Sequence, residues 1–250
     1  MELKTVEWSF KGIKAVIIYH RFRGSKLKTL LIEFPKNVLT LSTKCGFRMI
    51  RYICNNTVPR EFWNLVHEEE GQRVYLKGVF STLNIPQENS IILLTGVDME
   101  NLAIRDERFE NFRVSVFVTA GVESNALRVG VDRAGYIEEN GAFKHVGTIN
   151  TIVITNASLS IPAFIRAVVI ATEAKVIALQ DLDIRSSYNP DLQATGTGTD
   201  NLVIASLGTG PKVNYVSGHV KIGEIMARAV TLATKDAIIK CHRGNRNVQD

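Results

Sequence analysis

The sequence predicts an α+β fold: a mixed, largely antiparallel sheet or pair of sheets, covered by long helices, in a single compact domain. Short runs rich in β-branched residues recur along the chain, as is typical of strands. Two long apolar segments, at about residues 160–181 and 219–241, have the composition of helices that pack against a sheet. No repeat, linker or low-complexity tract divides residues 1–250, so we expect one domain.

The chain begins with predicted strands. Residues 7–20 alternate between apolar and polar side chains like a β-hairpin that turns at Lys11 and Gly12. Residues 29–34 and 37–41 predict two further strands. The N-terminal part is therefore expected to contribute strands to the sheet.

Basic residues are concentrated in this strand-rich part, about residues 1–60. Ten Lys or Arg residues from Lys11 to Arg51 are accompanied by one carboxylate, Glu33, and by interleaved aromatic side chains. This composition fits a nucleic-acid-binding surface. It also fits the solvated face of the predicted strands, and we favour this second interpretation, which implies no nucleic-acid partner.

The middle of the chain predicts one loop, one helix and three strands. Residues 42–59 contain a Cys-Gly pair and an Asn-Asn-Thr-Val-Pro run, which favour a loop. Residues 68–83 predict a helix. Strands are predicted at residues 91–95, 102–105 and 112–119. A polar connection, residues 132–141, leads to the next strand.

The stretch that follows holds most of the chemistry. Residues 148–154 are a β-branched run that predicts a buried strand, and small polar side chains follow it at Thr155 and Asn156. A helix then begins, with Ser160 as its N-cap and Pro162 in its first turn. Such an apolar helix must be covered on most sides.

A polar stripe runs along this helix. Arg166, Glu173 and Gln180 recur every seven residues and therefore share one face. Such stripes usually face solvent. The functional alternative is that Glu173 faces a cleft.

The run from Ala194 to Asp200, A-T-G-T-G-T-D, is a glycine- and threonine-rich loop before a second apolar strand, residues 202–206. A phosphate-binding loop would follow a strand and open a helix, and this loop precedes a strand, so we reject that interpretation. The glycines permit a sharp bend and a close approach to a ligand or a neighbouring strand. An ordinary tight loop has the same composition.

The last predicted helix places a histidine in its first turn. There the helix dipole disfavours an imidazolium, so a neutral, accessible His219 is suited to act as a base. A histidine at such a position is also found as a capping or packing residue.

Composition excludes several classes of protein. The chain has 250 residues, of which 45% are hydrophobic and 22% are charged, and carries a formal charge of +5. No apolar run reaches the roughly 20 residues of a membrane span, and the charged start is not a signal peptide, so we expect a cytoplasmic protein without a membrane partner. Three cysteines without C-x-x-C spacing and five histidines without H-x-H or H-E-x-x-H predict neither a disulfide framework nor a metal centre.

Four motifs in order resemble one known family. They are T-N-A-S at residues 155–158, A-T-E-A-K at 171–175, A-T-G-T-G-T-D at 194–200 and G-H-V-K-I-G-E at 218–224. Together they are similar to the adenosylcobinamide amidohydrolase family. The resemblance is strong over about residues 147–224. It is fair at the Thr-Ala-Gly run of residues 119–121 and at the Asn-Ala pair of residues 125–126.

The resemblance implies hydrolysis of the amide that joins the aminopropanol arm to the corrin ring of adenosylcobinamide. The products would be adenosylcobyric acid and 1-aminopropan-2-ol, in a corrinoid salvage step for cobalamin biosynthesis. The partner would be a small corrinoid molecule. No cofactor is implied, because the corrinoid substrate carries its own cobalt.

Amide hydrolysis needs a base, donors for the oxyanion and an acid for the leaving amine. Within the motifs we predict His219 as the base, with Asp200 or Glu173 orienting or assisting it. A hydroxyl nucleophile at Thr155 or Thr199 is an open alternative. We expect His219, Asp200 and residues 197–199 to meet in space.

The predicted substrate-binding residues come from the same motifs and from the preceding Asn-Ala pair. Backbone amides of residues 196–199 and the side chain of Asn156 are expected around the oxyanion. A bulky corrinoid would need a broad cleft, with Asn125 and Thr155 near its rim. The full set is Asn125, Thr155, Asn156, Thr197, Gly198, Thr199 and Glu224.

Two alternatives come from other functional classes. A corrinoid- or nucleotide-binding module without catalysis would use the same loops, and turnover of adenosylcobinamide distinguishes it from an enzyme. A nucleic-acid-binding protein would use the basic N-terminal strands, and its affinity would fall steeply with salt.

Overall fold

A computed structural model describes residues 2–133 and 148–246 of the chain. Thirteen strands and four α-helices are present in these ranges. The strands are β1 (Glu2–Thr5), β2 (Lys14–Phe22), β3 (Ser25–Ser42), β4 (Gly46–Thr57), β5 (Ser90–Thr95), β6 (Ala103–Phe109), β7 (Phe112–Ala120), β8 (Ala126–Leu127), β9 (Ile149–Thr155), β10 (Ser158–Leu159), β11 (Gly196–Thr197), β12 (Asn201–Ser206) and β13 (Lys212–Val213). The helices are α1 (Trp63–His67), α2 (Glu69–Leu83), α3 (Ile161–Asp181) and α4 (Lys221–Arg246).

Nine strands form one mixed sheet in the order β1-β2-β3-β12-β9-β7-β6, and β4 pairs with the other edge of β3 and with β5. Only the pairs β4–β5 and β9–β12 within this sheet are parallel. The predicted α+β fold, with a mixed and largely antiparallel sheet covered by helices, is therefore confirmed.

The long strand β3 makes the sheet curl. Its pairing with β4 is irregular between Glu33 and Val38. The first half of β3 pairs with β2, and its last four residues pair with β12. A bent strand shared by two sets of partners turns the sheet into a half-barrel with an inner and an outer face.

Buried asparagines join the two arms of the curled sheet. The Asn150 side chain on β9 donates to the Asn55 Oδ1 atom on β4 and to the Leu94 carbonyl on β5, both at 2.9 Å. Asn55 in turn donates to the Thr119 hydroxyl on β7. These bonds hold the carboxyl ends of β4 and β5 against the amino end of β9.

Three hydrophobic clusters stabilise this arrangement. The inner cluster fills the half-barrel with side chains such as Ile32, Ile53 and Phe117. A second cluster packs α3 and α4 against the outer face of β7, β9 and β12. A third packs α2 against β2, β3 and β4. Helices therefore cover the outer face of the sheet on both of its arms.

The predicted helix at residues 160–181 is confirmed as α3. The Ser160 hydroxyl accepts a hydrogen bond from the Ala163 amide, as expected of an N-cap, and proline stands in the first turn. The helix at residues 219–241 is confirmed as α4, which begins two residues later and extends to Arg246.

A polar group is buried under α2. His20 is 5% exposed, and its Nε2 atom forms a hydrogen bond with the Thr29 hydroxyl. Asn56 donates to the same hydroxyl and accepts from the Tyr75 phenol. The His20 Nδ1 atom has no hydrogen-bond partner, and burial lowers the pKa of His20 to about 4.

The predicted loop at residues 42–59 is wrong, because most of it is strand β4. The Asn-Asn-Thr-Val-Pro run favours a loop, but Asn55 and Asn56 both lie inside β4 and are buried. Their amides are satisfied by side chains of other strands and of α2, which removes the cost of burying them. Tertiary contacts thus override a local preference for turns.

Two other local expectations are corrected. The strands predicted at residues 29–34 and 37–41 are one bent strand, β3. Residues 7–10 are not a strand, and β2 pairs instead with Glu2–Thr5, although a turn does occur at Lys11 and Gly12. Most of the predicted connection at residues 132–141 lies outside the described residues.

Several N-terminal basic side chains are paired with carboxylates. Lys28 contacts Asp98, and Arg51 contacts Glu33. This pairing fits the interpretation of the basic residues as a solvated face of the strands. In the described part of the chain, no helix combines the length and the apolar character needed to cross a membrane.

Candidate active site

The predicted site residues lie at two opposite ends of the parallel pair β9–β12. We call the amino end of these strands, with the loop Gly196 to Asp200, the aspartate end. We call their carboxyl end, with residues 155–158 and 217–224, the histidine end. The six residues of β12 separate the two ends by about 17–20 Å at roughly 3.3 Å per residue.

Asp200 organises the aspartate end. Its Oδ1 atom accepts hydrogen bonds from the Thr197 hydroxyl at 2.5 Å and from the Ile149 amide at 3.1 Å. Its carboxylate also accepts a hydrogen bond from the Thr197 amide. One carboxylate thus fixes the loop, the start of β9 and a hydroxyl group.

Lys175 of α3 forms an ion pair with Asp200. The side chains of Lys175 and Asp200 are only 15% and 18% exposed. The pair forms because α3 starts near the carboxyl end of β9 and runs back along the sheet to the aspartate end. A charge pair that is this shielded from solvent is a candidate for chemistry as well as for structure.

The glycines of the loop allow close approaches. A Cβ atom on Gly196 would lie 2.6 Å from the Lys175 Nζ atom, and one on Gly198 would lie 3.0 Å from the Asn125 Oδ1 atom. A side chain at residue 196 would therefore displace the Lys175 ammonium or the Asp200 carboxylate from its observed position. The expected close approach of the loop backbone is made to side chains of this same chain.

Two backbone amides that we expected around the oxyanion already have partners. The Thr197 amide binds Asp200, and the Gly198 amide donates to the Asn125 carbonyl. These two amides are therefore engaged, and a charged donor close to Asp200 is the side chain of Lys175. The Lys175 ammonium has three N–H donors, and one of them binds the Asp200 carboxylate.

A chain of asparagines supports the loop from below. Asn201 donates to the Asn150 Oδ1 atom at 3.2 Å and to the Thr199 carbonyl at 3.0 Å. The Thr148 hydroxyl also donates to the Thr199 carbonyl. Because Asn150 is tied to β4 and β5, the loop is held to both arms of the curled sheet.

A small cavity opens beside the ion pair. Its volume is about 220 Å³, and its lining includes Thr43, Thr172, Lys175, Asp200 and Asn201. Polar groups converge on it from β9, β12, α3 and the β3–β4 turn. A cavity of this size takes one arm of a large ligand rather than the whole ligand.

At the histidine end, the side chains of Thr155 and Asn156 form hydrogen bonds with backbone groups. The fully buried Thr155 hydroxyl donates to the Arg113 carbonyl and accepts the Ala157 amide. Asn156 accepts the Arg113 amide and donates to the Asn111 carbonyl. These bonds close the β6–β7 hairpin onto the end of β9, so the polar groups of both side chains are engaged by backbone groups.

His219 and Glu224 are exposed around the start of α4. The His219 amide donates to the Ser217 hydroxyl, and Glu224 pairs with Lys221 one turn away. Arg166, from the predicted polar stripe, packs over the Tyr215 ring and donates to the Val216 carbonyl nearby. These contacts stabilise the first turn of α4 and the segment that precedes it.

The expectation that His219, Asp200 and residues 197–199 meet is therefore wrong. We expected the loop after β12 to return to the Asp200 end, but it joins β10 at the carboxyl end of β9 instead. Asn125 and Thr155 likewise lie at opposite ends and do not share a rim. Glu173 is exposed and stands two residues before Lys175, on nearly the opposite face of α3. The chemical roles assigned to these residues stay predictions.

The structure brings five of the predicted residues together at the aspartate end: Asn125, Thr197, Gly198, Thr199 and Asp200. Lys175 lies with them and was not predicted from the sequence. Lys175 stands in the same A-T-E-A-K motif as Glu173, so the motif pointed to this segment of α3, and only the ion pair with Asp200 distinguishes Lys175. The sequence did not indicate a role for Asn150 or Asn201 in the site. A single asparagine beside an apolar strand is typical of any strand end.

The described residues contain no group of three His, Cys, Asp or Glu side chains placed to hold a metal ion. Independence from a protein-bound metal stays a prediction.

Comparison with known proteins gives one family. Residues 14–246 match the family described as adenosylcobinamide amidohydrolase. An uncharacterized protein of Methanocaldococcus jannaschii is 42% identical over 226 residues, which are 85% of this chain and 86% of that protein. The adenosylcobinamide amidohydrolase of Methanosarcina mazei is 29% identical over 219 residues, covering 84% of this chain and 94% of that protein.

Among solved structures, a protein from Pyrococcus horikoshii covers 92% of this chain and 85% of its own. It is 12% identical in sequence, with a TM-score of 0.46.

Proposed function

The chain belongs to the adenosylcobinamide amidohydrolase family, and from this premise we propose that it hydrolyses the amide that joins the aminopropanol arm to the corrin ring of adenosylcobinamide. The products are adenosylcobyric acid and 1-aminopropan-2-ol. We place the reaction at the aspartate end. The supporting observation is that Asp200 and Lys175 form an ion pair that lines a cavity there, and that the Thr197 hydroxyl donates a hydrogen bond to Asp200.

Thr197 is the proposed nucleophile. Its hydroxyl already donates to the Asp200 carboxylate at 2.5 Å, which is the geometry of a nucleophile and its base. In the first step the Thr197 Oγ1 atom bonds to the amide carbon, and Asp200 accepts the hydroxyl proton. The result is a tetrahedral oxyanion.

Lys175 stabilises the negative charge that develops on the carbonyl oxygen in this step. Its ammonium is shielded from solvent beside Asp200, so its field on a developing oxyanion is stronger than it would be in water. Breakdown of the tetrahedral species cleaves the C–N bond, and the proton held by Asp200 passes to the leaving amine. An ester between Thr197 and the corrin side chain remains.

Water then completes the reaction. Asp200, again a carboxylate, accepts a proton from a water molecule that attacks the ester carbon. The C–O bond to Thr197 breaks, the proton held by Asp200 passes to the Thr197 oxygen, and the acid product leaves with Asp200 again a carboxylate. The same three side chains thus serve both halves of the reaction.

The size of the cavity fits this assignment. About 220 Å³ accommodates the aminopropanol arm and its amide, whereas the corrin ring stays outside. The ring then lies over the surface at Gly198 and Thr199, which keep their predicted substrate-binding role in the proposal. Asn125 is only 1% exposed and supports this surface through its carbonyl, which accepts a hydrogen bond from the Gly198 amide.

Incubation of the purified protein with adenosylcobinamide tests the proposal. Mass spectrometry should detect adenosylcobyric acid and 1-aminopropan-2-ol. The Lys175→Met variant should lose at least about 100-fold in turnover, since it removes the oxyanion donor. Lys212→Met, at an exposed lysine of the histidine end, is the matched control. Absence of turnover in the unaltered protein would leave a corrinoid-binding module as the explanation of the family match.

A further inference from the structure

A second and larger cavity lies at the histidine end, away from the proposed reaction site. Its volume is about 980 Å³. It opens on the inner side of the curled sheet, between the N-terminal loop around Lys11 and the segment after β12. Asn156, Leu207 and Gly210 are part of its lining. None of the residues at the aspartate end contributes to it.

The floor of this cavity is apolar. Phe10 and Val38 belong to the inner hydrophobic cluster, and Ile13 and Leu207 pack against that cluster. Pro35 and Pro211 add further apolar surface. Such a floor favours a ligand with a flat or apolar body.

The rim is cationic. Lys11, Lys36 and Arg113 line the cavity, are exposed and are accompanied by a single carboxylate, Glu110. Among the described residues, no carboxylate forms an ion pair with any of these three cations. Elsewhere in the N-terminal part, Lys28 and Arg51 do have such partners.

Three unpaired cations converge from three separate segments, the loop before β2, the bend of β3 and the start of β7. Convergence of this kind concentrates positive potential over a concave surface, and it favours multiply charged anions over single carboxylates. Arginine and lysine together are the usual partners of phosphate oxygens.

We propose that this cavity binds an organic phosphate of about the size of a nucleoside phosphate, with its phosphates on Lys11, Lys36 and Arg113 and its apolar part on the Phe10 floor. Adenosylcobinamide itself carries no phosphate, so the site is distinct from the proposed substrate site. The proposal does not depend on the reaction assigned to the aspartate end.

Calorimetric titration with ATP, adenosine and inorganic tripolyphosphate tests this site. ATP should bind more tightly than either of its parts, because only ATP contacts both rim and floor. The double variant Lys11→Glu with Lys36→Glu should weaken ATP binding by at least about tenfold. Lys26→Glu with Lys77→Glu, which makes the same charge change at exposed positions outside the cavity, should stay within about twofold.

Several outcomes would overturn the proposal. They are the absence of ATP binding, equal binding by the two double variants, and tripolyphosphate or adenosine binding as tightly as ATP. Arg113→Gln provides a second, single test in case the double variant is unstable. Turnover of adenosylcobinamide should be unchanged in the double variant, which separates failure of this site from failure of the proposed function.

Discussion

The two ends of the β9–β12 pair contain equally polar motifs, yet they use them differently. At the histidine end, Thr155 and Asn156 bind backbone groups of the β6–β7 hairpin. At the aspartate end, Asp200 binds a hydroxyl, an ammonium group and two backbone amides beside a cavity. Polar side chains that serve the backbone maintain a fold, whereas side chains that converge on each other are available for chemistry.

The same comparison shows what supports each end. The side chains at the histidine end bond mainly to segments that are near neighbours in the sheet. The loop at the aspartate end is tied through Asn201 and Asn150 to strands of the other arm of the sheet. A site held from two directions keeps its geometry when a bulky substrate binds.

The largest expected effect is that of Asp200→Asn. An amide cannot accept the Thr197 proton or pair with Lys175 as an anion, so turnover of adenosylcobinamide should fall at least about 1,000-fold. Asp191→Asn, at an exposed site, is the control. A folded Asp200→Asn protein with near-normal turnover would remove the aspartate end from consideration.

Thr197 variants distinguish a hydroxyl nucleophile from direct attack by water. Thr197→Ala should reduce turnover by about 100-fold or more, whereas Thr197→Ser, which keeps the hydroxyl, should stay within about tenfold. Single-turnover mass spectrometry should detect the protein-bound ester only when a hydroxyl is present. Full activity of Thr197→Ala would mean that water attacks directly with Asp200 as its base.

Buried His20, which lies outside both ends, gives a pH-dependent contribution to stability. Because burial lowers the pKa of His20 to about 4, the unfolded chain binds its proton more tightly, and stability falls as pH decreases from about 6.5 towards 4. Between pH 7 and 4.5 this amounts to about 2–3 kcal/mol. His20→Gln should remove that part of the pH dependence, measured by urea unfolding, whereas His219→Gln should leave it in place.

Stability should also differ between the ends when one side chain is removed. Asn150→Ala leaves the Asn55 and Leu94 oxygens and the Asn201 amide without their partner, at a cost of about 2–4 kcal/mol in the free energy of unfolding. Thr155→Val affects the Arg113 carbonyl and the Ala157 amide, at about 1–2 kcal/mol. Equal losses in chemical denaturation would contradict the stronger anchoring of the aspartate end.

The smallest expected effect is that of His219→Ala. Because His219 is exposed at the other end of the strands, turnover should change by less than about threefold, and the acidic limb of the rate profile should persist. Loss of activity in a folded His219→Ala protein would reverse the assignment of the two ends.

The sequence alone determined the elements whose signals are local. The period of the apolar residues predicted α3, α4, β9 and β12, and Ser160 marked the start of α3. These patterns act over one or two turns or a single strand, so they can be recognised without knowing the partner segments. The four motifs likewise indicated the family before any contact was known.

Only the tertiary structure decided where those motifs meet. The strand character of Asn55 and Asn56 depends on hydrogen bonds to Thr119, Thr29 and Tyr75, which are distant along the chain. The pairing of Lys175 with Asp200 depends on α3 reversing direction along β9, and the separation of His219 from Asp200 depends on the length of β12. A sequence contains local preferences, but the energy of a buried polar group is set by the partners that the folded chain brings to it.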